Sequence, residues 1–193
     1  MAWPADGGWT VVEVLVVVGL LGVLSAVAAP PLVHLRDSRN GRQAAEYLLV
    51  TLRSARQAAI LDGRHRAIVF DVIDGGWRFR RCADGTGDGV RRVDIAAAHD
   101  TCTDDGTALE WHFDRTFIGK APDVPAPDGT LGGTAVALGT ARMVSFSPCG
   151  TSSSGSIVLQ TVSGSHWAVR VTGMTGRVRL MRFDVATGRW VDA

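Results

Sequence analysis

Glu13 is the residue whose chemistry is most at odds with its surroundings. It is the only charged residue between Trp9 and Val33, in a run of Val, Leu, Ala and Gly. A carboxylate in an apolar environment is costly unless an opposite charge pairs with it. The sequence therefore predicts a cationic partner for Glu13. The alternative is a glutamate that lines a bundle of unrelated helices.

A group of arginines near the C-terminus is the second candidate for chemistry. In the stretch GRVR, strand alternation puts Arg177 and Arg179 on one face, and Arg170 and Arg182 are near in sequence. The last thirty residues, 164–193, hold five Arg and two Asp. This predicts a face that contacts phosphate groups or a partner, with Arg177, Arg179 and Arg182 as its residues. The alternatives are a solvated strand face and salt bridges to neighbouring subunits.

Three cysteines are too few for a disulfide scaffold and lack zinc-ligand spacing. Cys82 and Cys102 lie in Asp/Gly-rich turns and would close a loop in an oxidising compartment. The sequence leaves this pairing open, and with it the role of Cys149.

Neither the acidic turns nor the histidines form a catalytic or metal site in the sequence. The stretches ADGTGDG and CTDDG could hold calcium, but they lack EF-hand spacing, so plain turns are favoured. The carboxylates concerned are Asp84, Asp88, Asp104 and Asp105. The histidines are scattered, at His34, His65, His99, His112 and His166. We therefore expect no enzyme activity, no cofactor and no metal.

The overall charge excludes a polycation. The chain has 193 residues with 20 Lys and Arg against 19 Asp and Glu, a net charge of +1. Bulk electrostatic attraction to nucleic acid is therefore not expected, although a local basic face is allowed.

The apolar run from Trp9 to Val33 is the first element that must position these residues. Its 25 residues make about 37 Å of helix, enough to cross a bilayer core of about 30 Å. A secretory signal peptide is excluded, because the leader MAWPADGG has no Lys or Arg and the run is too long. A plain membrane anchor fits the length of the run but does not explain Glu13. Arg36, Arg39 and Arg42 follow the run, so the positive-inside rule alone would place the remainder in the cytoplasm.

The stretch 34–62 is expected to form an amphipathic helix that bends or breaks at Asn40-Gly41 and ends near Asp62-Gly63. Its apolar stripe consists of Leu48, Leu52, Ala55 and Ala59. From residue 63 the apolar period changes to two. The predicted strands are RAIVFDV, WRFRR, LEWHF, TAVAL, MVSFS, SIVLQT, HWAVRVT and RVRLMRF. About eight short strands predict a small antiparallel sandwich, and the Pro/Gly-rich stretch 118–133 predicts a long mobile loop.

The stretch GWTVVEVLVVVGLL resembles the N-terminal signal of type IV pilins and type II secretion pseudopilins. In that family a glycine precedes the cut, a large hydrophobic residue begins the mature chain, and glutamate is its fifth residue. Gly8, Trp9 and Glu13 occupy these positions, with Trp9 where Phe is more usual. FSPCGTSSSGSIVLQ (146–160) and TGMTGRVRL (172–180) resemble the C-terminal half of pseudopilin H and related minor pilins.

The resemblance implies an α+β, pilin-like fold in four parts. These are a prepilin leader (1–8), a membrane-spanning and filament-core helix (9–33), its amphipathic continuation (34–62) and a periplasmic β-sandwich head (63–193). It implies that a prepilin peptidase cuts after Gly8 and methylates Trp9. Glu13 then neutralises the new amino group, in its own chain or in its neighbour.

Three functions remain open at this stage. The first is a minor pseudopilin of the type II secretion system. Its partners would be the prepilin peptidase, other pseudopilin or pilin subunits, the inner membrane and secreted cargo. The second is a minor type IV pilin that binds DNA through the Gly-Arg-x-Arg strand in natural transformation. The third is an unrelated membrane-anchored β protein with its own ligand.

Overall fold

The computed structural model describes residues 10–103 and 105–193, and the side chains of these residues except 26–34. Two compact units divide the chain, Met1–Arg36 and Asp37–Ala193, and helix α1 contributes to both. The helices are α1 (Val11–Asp62), α2 (Arg92–Ala96) and a 3-10 helix (Leu109–Trp111). The strands are β1 (Arg66–Ile73), β2 (Gly76–Ala83), β3 (Thr101–Cys102), β4 (Thr116–Ile118), β5 (Val136–Ala137), β6 (Met143–Phe146), β7 (Gly155–Thr161), β8 (His166–Thr172), β9 (Arg177–Asp184) and β10 (Arg189–Asp192).

Thr10 immediately precedes helix α1 and caps its first turn, in the first unit. Its Oγ1 accepts the N–H of Glu13 at 3.2 Å, and its carbonyl accepts the N–H of Val14 at 3.2 Å. This is an N-cap arrangement, and it satisfies a backbone donor that the helix itself cannot. Glu13 consequently lies in the first turn, where the helix dipole favours a carboxylate. Every described side chain from residue 10 to 25 is exposed.

Within the part of the chain that the structure describes, no helix combines the length and the apolar character needed to cross a membrane. The span expected at 9–33 includes residues whose side chains lie outside the described set, and it stays a prediction from the sequence. The expected cleavage point, Gly8 and Trp9, also lies outside the described residues.

In the second unit, α1 from Asp37 onward packs on the β strands through its predicted apolar stripe. Leu48, Leu52, Ala55 and Ala59 are all buried, as are Ala44 and Ala45. Each fully buried leucine contributes about 1.5–3 kcal/mol to folding. The stripe is therefore confirmed as the surface that joins this part of the helix to its own domain.

A break at Asn40-Gly41 is wrong, because α1 continues through both residues; a bend there stays a prediction. Gly41 is there for a different reason. A Cβ atom on it would lie 2.8 Å from Nε1 of Trp167 and 2.6 Å from Cγ2 of Thr161. The glycine thus lets the helix approach the sheet more closely than any other residue would.

The strands form two antiparallel sheets. The first has the order β3-β2-β1-β6, with Phe70 opposite Phe79. The second has the order β10-β9-β8-β7-β4, and β5 pairs with the far end of β7. Strands β7 to β10 follow one another in the chain and in space.

One hydrophobic cluster contains buried side chains from α1 and from both sheets. The prediction of an α+β fold with the helix packed on antiparallel sheets is confirmed. Face-to-face packing of the two sheets as a sandwich stays a prediction.

The stretch LEWHF was expected to be a strand and is a 3-10 helix instead. The N–H groups of His112 and Phe113 both donate to the carbonyl of Leu109. The tight turn buries Leu109 completely and leaves Trp111 exposed. In a strand, both side chains would share one face.

The stretch 118–133 was expected to be a long mobile loop, and its mobility stays a prediction. Side chains of the second sheet contact its middle part. Trp190 Nε1 donates to the carbonyl of Pro125 at 2.8 Å, and Arg170 Nη1 donates to that of Pro127 at 3.0 Å. Val124 and Ala126 are buried. These contacts place the stretch against the second sheet, and we call residues 118–133 the cover loop.

Candidate site between helix α1 and strand β9

Arginines from two elements line a groove beside the Gly-Arg-x-Arg strand. We call this the helix–strand groove; its volume is about 640 Å³. Its lining consists of Arg53, Arg56, Gln57, Ile60 and Leu61 from α1, and Thr175, Gly176, Arg177, Val178 and Arg179 from β9 and the turn before it. Four of these ten residues are cationic and none is acidic. The lining itself is therefore positively charged, and Asp192, which lies outside it, is 3.7 Å from Arg179.

Two elements contact β9 on the side of the groove. Strand β10 pairs with Met181–Asp184. Helix α1 contacts the strand before Met181, where Arg53 donates from Nη2 to the carbonyl of Val178 at 3.2 Å.

Arg56 joins the two C-terminal sequence motifs. Its Nε donates to the carbonyl of Gly150, the last residue of FSPCG, at 2.9 Å. Its Nη2 donates to the carbonyl of Thr175, just before GRVR, at 3.1 Å. Arg56 was not singled out from the sequence, although its place off the apolar stripe was visible there.

Gly176 is required by this contact. Its φ is +59°, a left-handed conformation that glycine adopts without strain. A Cβ atom on it would lie 2.2 Å from the carbonyl oxygen of Gly150 and 2.6 Å from Nε of Arg56. The glycine of the Gly-Arg-x-Arg motif is thus explained by packing.

The three predicted arginines of β9 do not lie together. Arg177 and Arg179 line the groove, and Arg179 lies opposite Arg170 on the neighbouring strand. Arg182 lies opposite Trp167, on the alternate face, and lines a separate pocket near the turn between β7 and β8. Residues 179 and 182 are three positions apart, so strand alternation alone predicts that their side chains lie on opposite faces.

Arg177 and Arg179 differ in their partners. Arg177 is exposed and has no carboxylate partner among the described residues. Arg179 Nη1 lies 3.7 Å from Oδ2 of Asp192, while its buried Nε has no hydrogen-bond partner within the described part of the chain. Of these two, Arg177 is therefore the more available to a ligand.

The acid–base pair Asp37–Arg115 fixes α1 to the start of β4. Asp37 is 1% exposed and accepts from Arg115 Nε at 3.0 Å and from Nη2 at 3.2 Å. The hydrogen bond and the charge of Asp37 raise the pKa of Arg115 above its usual value. This two-point contact holds the helix in register with the second sheet.

Cys82 and Cys102 are joined by a disulfide across the β2–β3 pair, where they lie directly opposite each other. Cys149 is a free, exposed thiol. The short β3 is thereby held at the edge of the first sheet by a covalent bond.

The carboxylates of Asp84 and Asp100 accept hydrogen bonds from backbone N–H groups of the same turns. Asp84 accepts the N–H groups of Thr86, Gly87 and Gly89, and Asp100 accepts those of Gly85 and Arg91. Burial alone would raise the pKa of Asp84, but these hydrogen bonds lower it below its usual value. Asp104 lies outside the described residues. Across the described ranges, no three side chains are grouped in a way that could hold a metal.

His166, the first residue of β8, is buried and contacts the cover loop at Ala121. Its Nε2 accepts the N–H of Ala121 at 3.2 Å, which requires the neutral ring. Burial lowers the pKa of His166, and nearby Lys120 adds to this, while Gly164 and Asp123 act in the opposite direction. The ring is thus a neutral acceptor that holds the loop.

No family model and no curated protein matches the chain. Among solved structures, one similar chain is the minor pseudopilin EpsH of the type 2 secretion system of Vibrio cholerae. The TM-score is 0.46 and the identity 15%, over 74% of this chain and 97% of that one. EpsH is a pseudopilin, the class that this sequence resembles. At this TM-score the likeness decides neither fold nor function, which rest on the residues of the chain itself.

Proposed function

We propose that this chain is a pilin-like filament subunit, a minor pseudopilin of the type II secretion system. It would cross the bacterial inner membrane once, at 9–33, and place its β head in the periplasm. The observation that carries the proposal is the spacing of Gly8, Trp9 and Glu13 at the start of an apolar helix. The described side chains of that helix start are exposed, with Val11 at 76%. An apolar surface of this kind is suited to lipid or to other helices.

The proposed processing explains Glu13. A cut after Gly8 creates an α-amino group on Trp9, which is then methylated. Glu13 neutralises that amino group, in its own chain or in the preceding subunit, and so fixes the axial register of the filament. A charge buried in a filament core is tolerated when it is paired and costly when it is alone.

The N-cap at Thr10 offers a competing explanation for Glu13. A glutamate three residues after a threonine N-cap stabilises the first turn without any second subunit. The capping role needs a hydrogen-bond acceptor, whereas the pairing role needs a negative charge. Glutamine at this position keeps the first and removes the second.

The first experiment is intact-mass and N-terminal analysis of the chain from cells that contain a prepilin peptidase. The proposal expects a chain that begins with N-methylated Trp9. A chain that keeps the leader would support a plain anchor, or the unrelated membrane-anchored β protein with its own ligand.

The second experiment compares Glu13→Ala, Glu13→Gln and the matched control Glu46→Gln. Glu46 lies on the same helix, is half-exposed and pairs with Arg42. We expect all three to be processed, and both Glu13 variants to be lost from sheared filaments while Glu46→Gln is retained. Filament incorporation of Glu13→Gln at the native level would leave only the capping role for Glu13.

A DNA-binding minor type IV pilin is the alternative function. The exposed, carboxylate-free Arg177 favours it. Against it, Arg182 lies on the alternate face, and the groove lining has no aromatic side chain for base stacking. A salt-dependent DNA shift that is lost in the double variant Arg177→Ala/Arg179→Ala would establish this alternative.

A further inference from the structure

We propose that protonation of His166 releases residues 120–124 of the cover loop from the second sheet, while the strands beneath stay paired. We call residues 120–124 the release segment. The head would thereby carry a pH-sensitive switch of its own. The inference uses only residues of the second unit, so it does not depend on cleavage at Gly8 or on pairing of Glu13.

The stretch 120–127 of the cover loop has few backbone N–H groups with which to bind the sheet. Three of its eight residues are prolines, which have no N–H: Pro122, Pro125 and Pro127. The N–H of Val124 donates to the carbonyl of Ala121, within the release segment. The N–H of Ala126 donates to Thr130, also within the loop. Among the described residues, the N–H of Ala121 is the only backbone N–H of this stretch that donates to a group outside the loop.

The acceptor of that hydrogen bond is Nε2 of His166, at 3.2 Å. An imidazole nitrogen accepts only while it carries no proton, and in the protonated ring both nitrogens are donors. Protonated His166 would therefore turn an N–H toward the N–H of Ala121. The His166 side chain is 5% exposed, so in the closed loop neither donor can turn to water. Because buried donors without an acceptor are costly, the segment moves away and both groups bind water.

The contacts on either side of the release segment do not depend on pH in this range. On one side, the N–H of Gly119 donates to the carbonyl of Val158 at 3.1 Å. On the other, the carbonyls of Pro125 and Pro127 accept from an indole and a guanidinium of the second sheet. Neither of these groups changes its charge near neutral pH. The opening is therefore confined to the residues between Gly119 and Pro125.

The charged groups around His166 come from the cover loop and from β9. In the cover loop, Lys120 disfavours a positive charge on the ring and Asp123 favours it. From β9, Arg182 and Asp184 line the same pocket as the ring, and their charges are opposite. The other residues that line this pocket, and the residue of β7 opposite the ring, are uncharged. Burial consequently has the largest effect, and it lowers the pKa of His166.

Release therefore depends on pH with a definite sign. In the released form the ring lies in water and has its ordinary pKa of about 6.5. Above this pH the ring is neutral in both forms, so pH does not change the balance between them. Below it, the released form binds a proton that the closed form does not. Its population then rises by at most about tenfold for each pH unit, until the pH reaches the lowered pKa of the closed form.

The chain contains its own probe for this opening. Lys120 is the only lysine in the sequence, so an endoprotease that cleaves after lysine cuts the chain once, inside the release segment. In the closed form Lys120 Nζ donates to the carbonyl of Val124 at 2.7 Å, and the segment is folded into a turn. Cleavage of a folded protein reports the population of its open form when opening and closing are fast.

The test measures this cleavage rate for the full chain in a non-ionic detergent, at about pH 7.5 and about pH 5.5. Each rate is divided by that of an unstructured peptide with the sequence of residues 116–126, which corrects for the pH dependence of the protease. We expect the corrected rate to be severalfold higher at the lower pH, and at most about tenfold.

One variant and a matched control assign the effect to His166. His166→Gln keeps an acceptor for the N–H of Ala121 but cannot take up a proton, so its corrected rate should be the same at both pH values. His99→Gln removes a histidine that is 62% exposed and lies beside α2, and it should retain the full rise. Circular dichroism checks that both variants are folded.

Hydrogen exchange measured by mass spectrometry gives a test that needs no substitution. After correction for the intrinsic effect of pH, the amides of residues 120–124 should lose protection at the lower pH. Those of β7 and β8 should keep it, because their pairing does not involve the His166 side chain.

The outcomes decide between local release and its alternatives. A corrected cleavage rate that does not change with pH would overturn the inference, and so would an equal rise in His166→Gln. If β7 and β8 lose protection together with the release segment, acid unfolds the sheet as a whole and the switch does not exist. None of these results bears on the processing of Gly8.

Discussion

Replacing Arg115 by methionine tests how α1 is fixed to the second sheet. Asp37 is 1% exposed and makes a two-point contact with Arg115, whose own side chain is 41% exposed. Breaking a fully buried ion pair costs about 3–5 kcal/mol, and a surface pair contributes about 0–1 kcal/mol. With one partner buried and the other half-exposed, we expect a loss of about 2–3 kcal/mol in the free energy of unfolding.

Methionine keeps the length of the side chain and also the backbone cost of the position, where φ is +60°. The change therefore removes the charge and its hydrogen bonds and little else. For a domain of this size, the expected loss lowers Tm by about 5–10 °C. The assay is thermal unfolding of the full chain in a non-ionic detergent, with tryptophan fluorescence as the signal; Trp167 is buried and reports on the same sheet.

The matched control is Arg42→Met. Arg42 pairs with Glu46 on the same helix, but the two side chains are 59% and 45% exposed. We expect this variant to lose at most about 0.5 kcal/mol. If Arg115→Met melts within about 2 °C of the unmodified chain, or no lower than Arg42→Met, the buried pair does not hold the helix as we argue.

Three further predictions concern the second unit. Gly41→Ala should lower stability by about 1–3 kcal/mol, because the new methyl group meets Trp167; thermal unfolding measures this. Stability should fall as the pH drops through about 6.5, the ordinary pKa of histidine, because the unfolded state then gains a proton that His166, with its lowered pKa, does not; unfolding in denaturant against pH measures this, and the loss should level off below the lowered pKa. Removing the Cys82–Cys102 disulfide, as the double serine variant, should cost about 3 kcal/mol, as expected for a loop of this length; denaturant unfolding measures this too.

Each of the three has a control. Gly22→Ala meets no atom within 4 Å and should not destabilise the second unit. His166→Gln keeps an acceptor for Ala121 but does not titrate, so it should flatten the pH dependence; an unchanged pH profile would mean that another group is responsible. Cys149→Ser changes an exposed free thiol and should be neutral. If it destabilises the chain as much as loss of the disulfide, the loop-closure argument is wrong.

Regular alternation over several residues allowed most of the fold to be predicted. The α1 stripe and the long strands each contain several apolar side chains at one regular spacing. The helix and strands are found where that spacing predicted them. Strands β3 and β4 have two and three residues, too few for any period, and they form only because a longer strand pairs with them. The 3-10 helix at Leu109 also follows from a tertiary contact, since the core draws in Leu109 and the turn releases Trp111.

The candidate site was only half visible in the sequence. The alternation of Arg177 and Arg179 predicted their shared face. The role of Arg56 depends on its hydrogen bonds to Gly150 and Thr175, which are 94 and 119 residues away in the sequence. No local sequence pattern could predict these contacts. The cap of α1 by Thr10 was not predicted, although Thr-x-x-Glu is a capping pattern.

Strands β7 to β10 are consecutive hairpins, whereas β1 pairs with β6 across about seventy residues of chain. Contacts that are close in sequence close with less loss of chain entropy, and proteins rich in them fold faster. The last forty residues can therefore assemble among themselves before the first sheet is complete. Because a chain is synthesised from its amino end, every strand of the first sheet is made before these hairpins, and the part of the second unit with the most local contacts follows it.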